Sequence, residues 1–252
     1  MTENLTTENG RSVLRVRRRL AHPPAKVWAA LVEPDRLAEW FPSAARPELR
    51  VGGTVQFADG EPGTVTDLDP PRLIAYTWGT DHLRWEVEPD GDGAVLTLLH
   101  SFADRAGAAS FAAGWETCLA VLGLALAGRP GEDPGVDHIA RHEQLVSELG
   151  LDVADIEPTP DGWRVRFERQ LTRPAEAVWP DLAGAWPDAG PVLVRDQPKV
   201  LEQEVPGGRV RWELGEGTGH GARLVLTWTG RDETARDAAA THAPVRAAAL
   251  AR

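Results

Sequence analysis

The sequence predicts an α+β protein in which one fold, a curved antiparallel sheet around a long helix, occurs twice, with the second copy shortened. The first observation is an internal repeat: Arg84-Trp85-Glu86 recurs as Arg211-Trp212-Glu213, and Val27-Trp28 recurs as Val178-Trp179. These offsets, 127 and 151 residues, indicate duplicated domains, because solenoid repeats run at roughly 20–50 residues. The second observation is that a run of short alternating segments precedes one long amphipathic segment. That order favours antiparallel strands followed by a helix.

The first copy begins with a strand. Apolar side chains alternate with others from Val13 to Leu20, which is the period of a strand, whereas residues 1–10 are polar and are expected to be disordered. Pro23-Pro24 then opens a short helix, since proline suits the first helical turn, and a second short helix is predicted from Asp35 to Trp40. Turns rich in glycine, proline and aspartate separate further predicted strands, at residues 48–51, 53–57, 63–69, 73–78, 82–89 and 94–102.

A long helix follows these strands, from Ala106 to Ala127, and Gly128 and Pro130 end it. Its apolar side chains recur at steps of three and four residues and form one stripe, made of Phe111, Trp115, Cys118, Leu119, Leu122 and Leu126. A sheet that curves around such a stripe would leave a cavity between helix and strands. A further helix, residues 138–149, follows a linker rich in proline, glycine and acidic residues.

The second copy is shorter than the first. Between Trp28 and Gly63 there are 34 residues, but between Trp179 and Gly190 there are only 10, so a helix and a hairpin are missing. Its last helix, residues 232–252, contains Pro244, which should kink or break it. We therefore expect a complete domain at residues 11–130, a linker with a helix at 131–157 and a shortened domain at 158–252.

Composition narrows the classes of function. The net charge of −11 argues against a nucleic-acid footprint. One cysteine fits a reducing compartment, and neither a signal peptide nor an apolar run approaching a membrane span is visible, so a cytoplasmic protein is expected. Ten tryptophans beside one tyrosine suggest cavities walled by aromatic side chains.

Three motifs that resemble catalytic or ligand sites are better explained structurally. The glycine-rich segment from Gly217 to Ala222 precedes a strand pattern and not the helix that a dinucleotide site needs. His138 and His142 have zinc-ligand spacing but no third ligand, and Cys118 has no neighbouring base that would activate it. No metal, cofactor or catalytic residue is therefore predicted, and catalysis is the less favoured alternative.

Two polar residues on apolar strand faces are candidates for a role inside the cavity. Arg18 could bind oxygen atoms of a ligand, or it could form an internal salt bridge, as could its equivalent Arg169. His100 could act as an acid or base, but the second copy has Trp228 at that position. Arg18 with His100 is the one polar pair that a cavity enzyme could use.

The chain resembles START-like proteins of the birch-allergen-like superfamily. The residues that carry the resemblance are Arg18-x-Leu20-x-x-Pro23, Val27-Trp28, Trp40-Phe41, Gly52-Gly53, Pro71-x-x-Ile74, Arg84-Trp85-Glu86 and Gly114-Trp115. The similarity is to the branch of heat-shock-protein ATPase activator homologues, over residues 11–128 and, in shortened form, 160–230. It implies a helix-grip fold.

Such proteins bind hydrophobic small molecules, cyclise polyketides or act as co-chaperones, and some START-like proteins of actinobacterial enediyne clusters confer self-resistance. The composition, rich in alanine, arginine, proline and glycine, is typical of a high-GC actinobacterium.

The leading hypothesis is binding of a hydrophobic, polycyclic molecule, such as an aromatic polyketide or an enediyne, with sequestration of an antibiotic as its most specific form. A polyketide cyclase and a co-chaperone with an unidentified protein partner are the alternatives. The predicted ligand-binding residues are Arg18, Trp40, Phe41, Trp78, Trp85, His100, Phe111, Trp115, Cys118, Leu119 and Leu122.

Overall fold

The chain forms two compact units, Met1–Arg141 and His142–Arg252, in a computed structural model that describes residues 2–182, 184, 189–219 and 221–251. Each unit contains an antiparallel sheet and a long C-terminal helix. The predicted α+β fold, two helix-grip units of which the second is shorter, is thereby confirmed.

The first unit contains an eight-stranded antiparallel sheet. Its strands are β1 (Thr2–Glu8), β2 (Arg11–Leu20), β3 (Ala45–Pro47), β4 (Thr54–Phe57), β5 (Gly63–Asp69), β6 (Leu73–Trp78), β7 (Asp81–Asp90) and β8 (Gly93–Phe102). They lie in the order β1-β2-β8-β7-β6-β5-β4-β3. The helices are α1 (Pro24–Val32), α2 (Pro34–Leu37) and α3 (Ala108–Leu126), and α4 (His138–Glu148) begins at the end of this unit.

The N-terminal segment is a strand, so the expectation that residues 1–10 are disordered is wrong. β1 pairs antiparallel with β2 along its whole length. Asn9 and Gly10 form the connecting turn with φ values of 49° and 77°, the left-handed backbone that a two-residue hairpin loop requires. Asn-Gly is a strong hairpin signal, but β1 carries one apolar side chain, Leu5, and therefore lacks the alternation expected of a strand.

The segment between α2 and β4 also differs from expectation. α2 ends at Leu37, and the strand predicted near 48–51 is a turn, whereas β3 lies earlier, at Ala45–Pro47. Gly52 adopts a φ of 76°, and a Cβ on Gly53 would stand 2.6 Å from the carbonyl oxygen of Glu48. The two glycines therefore close a tight turn that leaves no room for an extended strand.

The second unit repeats the first sheet without its last two strands. Its elements are β9 (Asp155–Thr159), β10 (Gly162–Gln170), α5 (Ala175–Leu182), β11 (Val192–Asp196), β12 (Val200–Val205), β13 (Gly208–Glu216), β14 (Ala222–Gly230) and α6 (Glu233–Ala249). The order β11-β12-β13-β14-β10-β9 reproduces β5-β6-β7-β8-β2-β1. Among the described residues, β3, β4 and α2 have no counterpart here. The strand β9, like β1, was not predicted.

Helix α6 continues through Pro244 as one element, so the expected break does not occur. Proline removes one backbone donor from a helix, but packing compensates for that loss. Ala239, Ala243 and Ala247 are fully buried and form a small-residue face on the helix, which lies against β10 and β14. A continuous helix buries that face on the sheet.

The segment Arg105–Leu126, which includes α3, is long and apolar enough by length and composition to cross a membrane. This finding corrects the expectation that no apolar run approaches that length. Of its most apolar window, 44% is buried inside the fold, and α3 contacts β2 and α1. The core helix of a globular unit has the same length and composition.

Candidate functional site

Aromatic side chains converge between α3 and the concave face of the first sheet. Trp85 of β7 contacts Trp115 of α3 and Trp40, which follows α2, with ring centroids 5.4 and 5.5 Å apart. Phe41 lies 5.3 Å from Trp78 of β6 and 5.8 Å from Trp115. The fold thus brings together five of the predicted ligand-binding residues, in the edge and tilted geometries that aromatic pairs prefer.

The indole N–H groups at the centre of this aromatic cluster are bonded within the protein. Trp85 Nε1 donates to the Tyr76 hydroxyl at 3.1 Å, and Trp40 Nε1 donates to the Ala30 carbonyl at 2.9 Å. Burial raises the pKa of Tyr76, so its phenol stays protonated. The cluster therefore presents ring faces and edges, not these N–H groups, to any molecule that contacts it.

Trp78 and Phe111 are half-buried, in contrast to the buried Trp40, Phe41, Trp85 and Trp115. Phe57 of β4 stacks on Trp78 at 5.7 Å, with an angle of 26° between the rings. Neither Phe57 nor Tyr76 was predicted as a site residue. Strand alternation placed Tyr76 on the same face as Trp78, and that signal could have identified it.

His100 is buried, with 1% of its surface exposed, and both of its ring nitrogens are occupied. Nδ1 accepts the indole N–H of Trp115 at 3.1 Å, and Nε2 lies 2.9 Å from Asp81 Oδ2. Because Nδ1 accepts a hydrogen bond, the ring hydrogen is on Nε2, which donates a hydrogen bond to the carboxylate of Asp81. His100 holds the Trp115 ring in place, and neither nitrogen is available to exchange a proton with a ligand.

Arg18 and His100 are not brought together as an acid–base pair. Arg18 pairs with Leu96 of β8, whereas His100 pairs with Leu14 of β2, four positions away, which is about 13 Å along the strands. The polar pair that a cyclase could use is therefore not formed.

Arg18 lies against the C-terminal half of α3. One guanidinium nitrogen, Nη2, is 3.6 Å from where a Cβ on Gly123 would stand. Burial lowers the pKa of Arg18, and the negative charge of Glu116 opposes this shift. Within the described residues, Arg18 makes no hydrogen bond or ion pair.

A buried charged cluster lies beside Arg18. Arg141, at the start of α4, forms a bidentate pair with Glu116 of α3, with N–O distances of 2.8–2.9 Å. Glu3 of β1 lies 3.5 Å from Arg141, and 6% of its side chain is exposed. Burial, and then the carboxylate of Glu116, raise the pKa of Glu3 from 4.5 to about 7, although Arg141 opposes the shift.

The pKa of Glu3 predicts a stability that falls as pH rises. Between pH 4.5 and about 7 the folded state keeps a proton on Glu3 that the unfolded state has lost, so the free energy of unfolding decreases through that window. At pH 8, Glu3→Gln should stabilise the first unit by about 1–3 kcal/mol, with little effect at pH 4.5. Urea unfolding at both pH values tests this, and an equal pH dependence in the two proteins would contradict it.

Arg169, the counterpart of Arg18, forms an internal salt bridge. It is 3% exposed, and its Nη2 lies 2.7 and 2.8 Å from the two carboxylate oxygens of Glu143. Burial raises the pKa of Glu143, but hydrogen bonds from His142 and the charge of Arg169 outweigh it and lower that pKa overall. Arg169 therefore forms the internal salt bridge that was one of the two interpretations, whereas Arg18 has no such partner among the described residues.

Cys118, on α3, is half-buried, and burial raises the pKa of its thiol from 9.0 to about 11. Because the thiolate is the reactive form, we expect it to react about 100-fold more slowly than a free cysteine at pH 8. A disulfide-exchange assay with the native and the urea-unfolded protein measures this. Comparable rates in the two states would refute the prediction.

Pockets occur in both units. In the first, a pocket of about 210 Å³ between α1, α2 and the end of α3 is bordered by Trp40 and Leu122; Leu122 and Leu119 are fully buried. In the second, a pocket of about 520 Å³ is lined by charged residues that include Asp161 and Arg209. Another, of about 410 Å³, lies between α5 and α6. In the described part of the chain, no three His, Cys, Asp or Glu side chains are grouped to hold a metal ion.

Comparisons with known proteins agree with this architecture. Residues 21–127 match the family model described as Activator of Hsp90 ATPase homolog 1-like protein. Among curated proteins, no relative matches the sequence.

Several solved structures are similar. CalU16 from Micromonospora echinospora is 24% identical over 58% of this chain and 94% of that one, with a TM-score of 0.50. EF2215 from Enterococcus faecalis, a conserved protein of unknown function, is 21% identical over 58% and 90%, with a TM-score of 0.52. DynU16, from the dynemicin biosynthetic locus, is 18% identical over 95% of both chains, with a TM-score of 0.45.

Proposed function

We propose that this protein binds a hydrophobic, polycyclic small molecule in its first unit. Residues 21–127 of that unit match the Activator of Hsp90 ATPase homolog 1-like family and have a START-like fold. The binding site would be the aromatic cluster between α3 and the concave face of the sheet. The observation that carries the proposal is the convergence of Trp40, Phe41, Trp78, Trp85 and Trp115 on one face.

The way these side chains are held supports the proposal. Hydrogen bonds to Ala30, Tyr76 and His100 fix the rings of Trp40, Trp85 and Trp115. The cluster is therefore preorganised, and these three indole N–H groups already have acceptors within the protein. A planar ligand that stacks on such rings gains about 0.5–1.5 kcal/mol per aromatic pair beyond the area it buries. Polar ligands would find few free hydrogen-bond donors there.

The half-buried Trp78 and Phe111 supply the point of entry in this proposal. The rings at the centre of the cluster contact one another, so a ligand would enter by moving these two outer rings. It would take the place of Trp78 against Phe41 and Trp115, or that of Phe111 against His100 and Phe102. Side-chain rearrangement of this kind is common when a ligand binds, while the backbone moves little.

In its more specific form, the proposal is stoichiometric sequestration of an antibiotic. This form is supported by the resemblance of the sequence to START-like proteins, some of which, in enediyne clusters, confer self-resistance. It is also favoured over a cyclase because His100 has no free nitrogen and is far from Arg18.

Titration of the protein with an aromatic polyketide, such as a tetracyclic anthraquinone, tests the proposal through quenching of tryptophan fluorescence. We expect saturable 1:1 binding that Trp78→Ala weakens at least several-fold and that Trp179→Phe, in the second unit, leaves unchanged. The recovered ligand should be chemically intact by chromatography. Absence of saturable binding would reject the proposal, and conversion of the ligand would favour the cyclase.

A further inference from the structure

We infer that the ligand of the first unit is an acid: a hydrophobic molecule whose carboxylate, sulfonate or other negative group binds Arg18. This inference rests on the proposed function and adds the chemical class of the ligand to it. Its basis is a difference between two equivalent arginines: Arg169 forms a salt bridge, whereas Arg18 forms none among the described residues. The position of Arg18 on the concave face of the sheet adds to this.

Arg18 is a half-buried cation whose charge the described residues leave unpaired. On β2 it shares the concave face with Val16 and Leu20, which are buried. The charge of Glu116 acts on it, but both carboxylate oxygens of Glu116 are bound by Arg141. The guanidinium fork therefore keeps its full capacity for a bidentate bond to an anion.

The second unit shows how this fold can neutralise the equivalent arginine with its own side chains. There Arg169 is almost fully buried and is neutralised by Glu143 at 2.7 and 2.8 Å. Removing a cation from water is unfavourable unless it is paired and hydrogen-bonded. Arg18 is half-buried, so part of this unfavourable desolvation free energy applies to it in the first unit. An anionic group of the ligand would offset that free energy.

Arg18 faces α3 at a residue that has no side chain. Residue 123 on the facing helix is a glycine, and a Cβ there would only reach ordinary contact distance from the guanidinium. Leu96 of β8 pairs with Arg18 on one side and with Val87 of β7 on the other, and Trp85 lies two residues from Val87. The distance from Arg18 to Trp85 across the sheet is therefore about 12 Å. A molecule with several fused rings and an acid at one end has that length.

Two fluorescent probes with one scaffold test the inference: 1-anilinonaphthalene-8-sulfonate, which is anionic, and N-phenyl-1-naphthylamine, which is neutral. We expect the full-length protein to bind the sulfonate at least 10-fold more tightly. Arg18→Leu should remove this preference and leave the affinity for the neutral probe unchanged. Arg18→Lys should retain part of it. Arg15→Leu is the matched control, because Arg15 is an exposed cation on the opposite face of the same strand.

The outcomes separate the inference from the function it rests on. Equal affinity for both probes in the unmodified protein would overturn the inference that the ligand is an acid, but it would still be consistent with a hydrophobic binding site. A preference that survives Arg18→Leu, or that Arg15→Leu removes equally, would overturn the role of Arg18. Failure of both probes to bind would count against the proposed function itself.

Discussion

Replacement of Trp85 by alanine should destabilise the first unit by about 3–5 kcal/mol, the range for removing a large aromatic side chain from a core. Trp85 is 1% exposed, contacts Trp40 and Trp115, and donates a hydrogen bond to Tyr76. The substitution removes these contacts and leaves a buried hydroxyl without its donor. Urea unfolding followed by circular dichroism measures the loss.

Trp78→Ala is the matched control for this prediction. Trp78 belongs to the same cluster but is half-buried, so its removal exposes less apolar surface and leaves a space that water can enter. We expect a loss of about 1–2 kcal/mol. Equal losses for Trp78→Ala and Trp85→Ala would mean that the cluster is not organised around Trp85.

Arg169→Leu should destabilise the second unit by about 2–4 kcal/mol, because it leaves the carboxylate of Glu143 without its main partner. The effect lies at the lower part of the range for buried pairs, since Glu143 is partly exposed. Arg18→Leu, at the equivalent position of the first unit, removes no hydrogen bond or ion pair within the described residues. We therefore expect it to change stability by less than about 1 kcal/mol.

The two arginine variants are compared by unfolding at pH 7 and at low and moderate salt. If Arg18→Leu lowers the free energy of unfolding as much as Arg169→Leu does, then the contacts of Arg18 stabilise its unit as much as the salt bridge of Arg169 stabilises the second. That result would remove the distinction between a structural arginine and one that is available to a ligand.

Much of the architecture could be predicted from the sequence because it depends on local periodicity and on the repeat. The stripe on α3 follows from steps of three and four residues. The shorter interval between Trp179 and Gly190 accounts for the lack of counterparts to β3 and β4 among the described residues of the second unit. The N-terminal hairpin was missed because β1 is polar, although Asn9-Gly10 marks its turn.

The details of the candidate site depend on contacts between distant parts of the chain. Alternation placed His100 on the concave face but could not show that Trp115 and Asp81 occupy its nitrogens. Likewise, nothing in the pattern indicates that Arg141 binds Glu116 and that Arg18 has no ion-pair partner in the part of the chain that the structure describes. Such pairings are set by tertiary packing, which periodicity does not encode.

Binding in the first unit is tested most directly by recording the indole N–H resonances of ¹⁵N-labelled protein during titration with 1-anilinonaphthalene-8-sulfonate. Tryptophans divide evenly between the units by sequence position, which makes the resonances internal controls for one another. We expect large shifts for Trp78 and Trp115, smaller ones for Trp40 and Trp85, and none for Trp163, Trp212 and Trp228. Shifts confined to the tryptophans of the second unit, or no shifts at saturating probe, would contradict it.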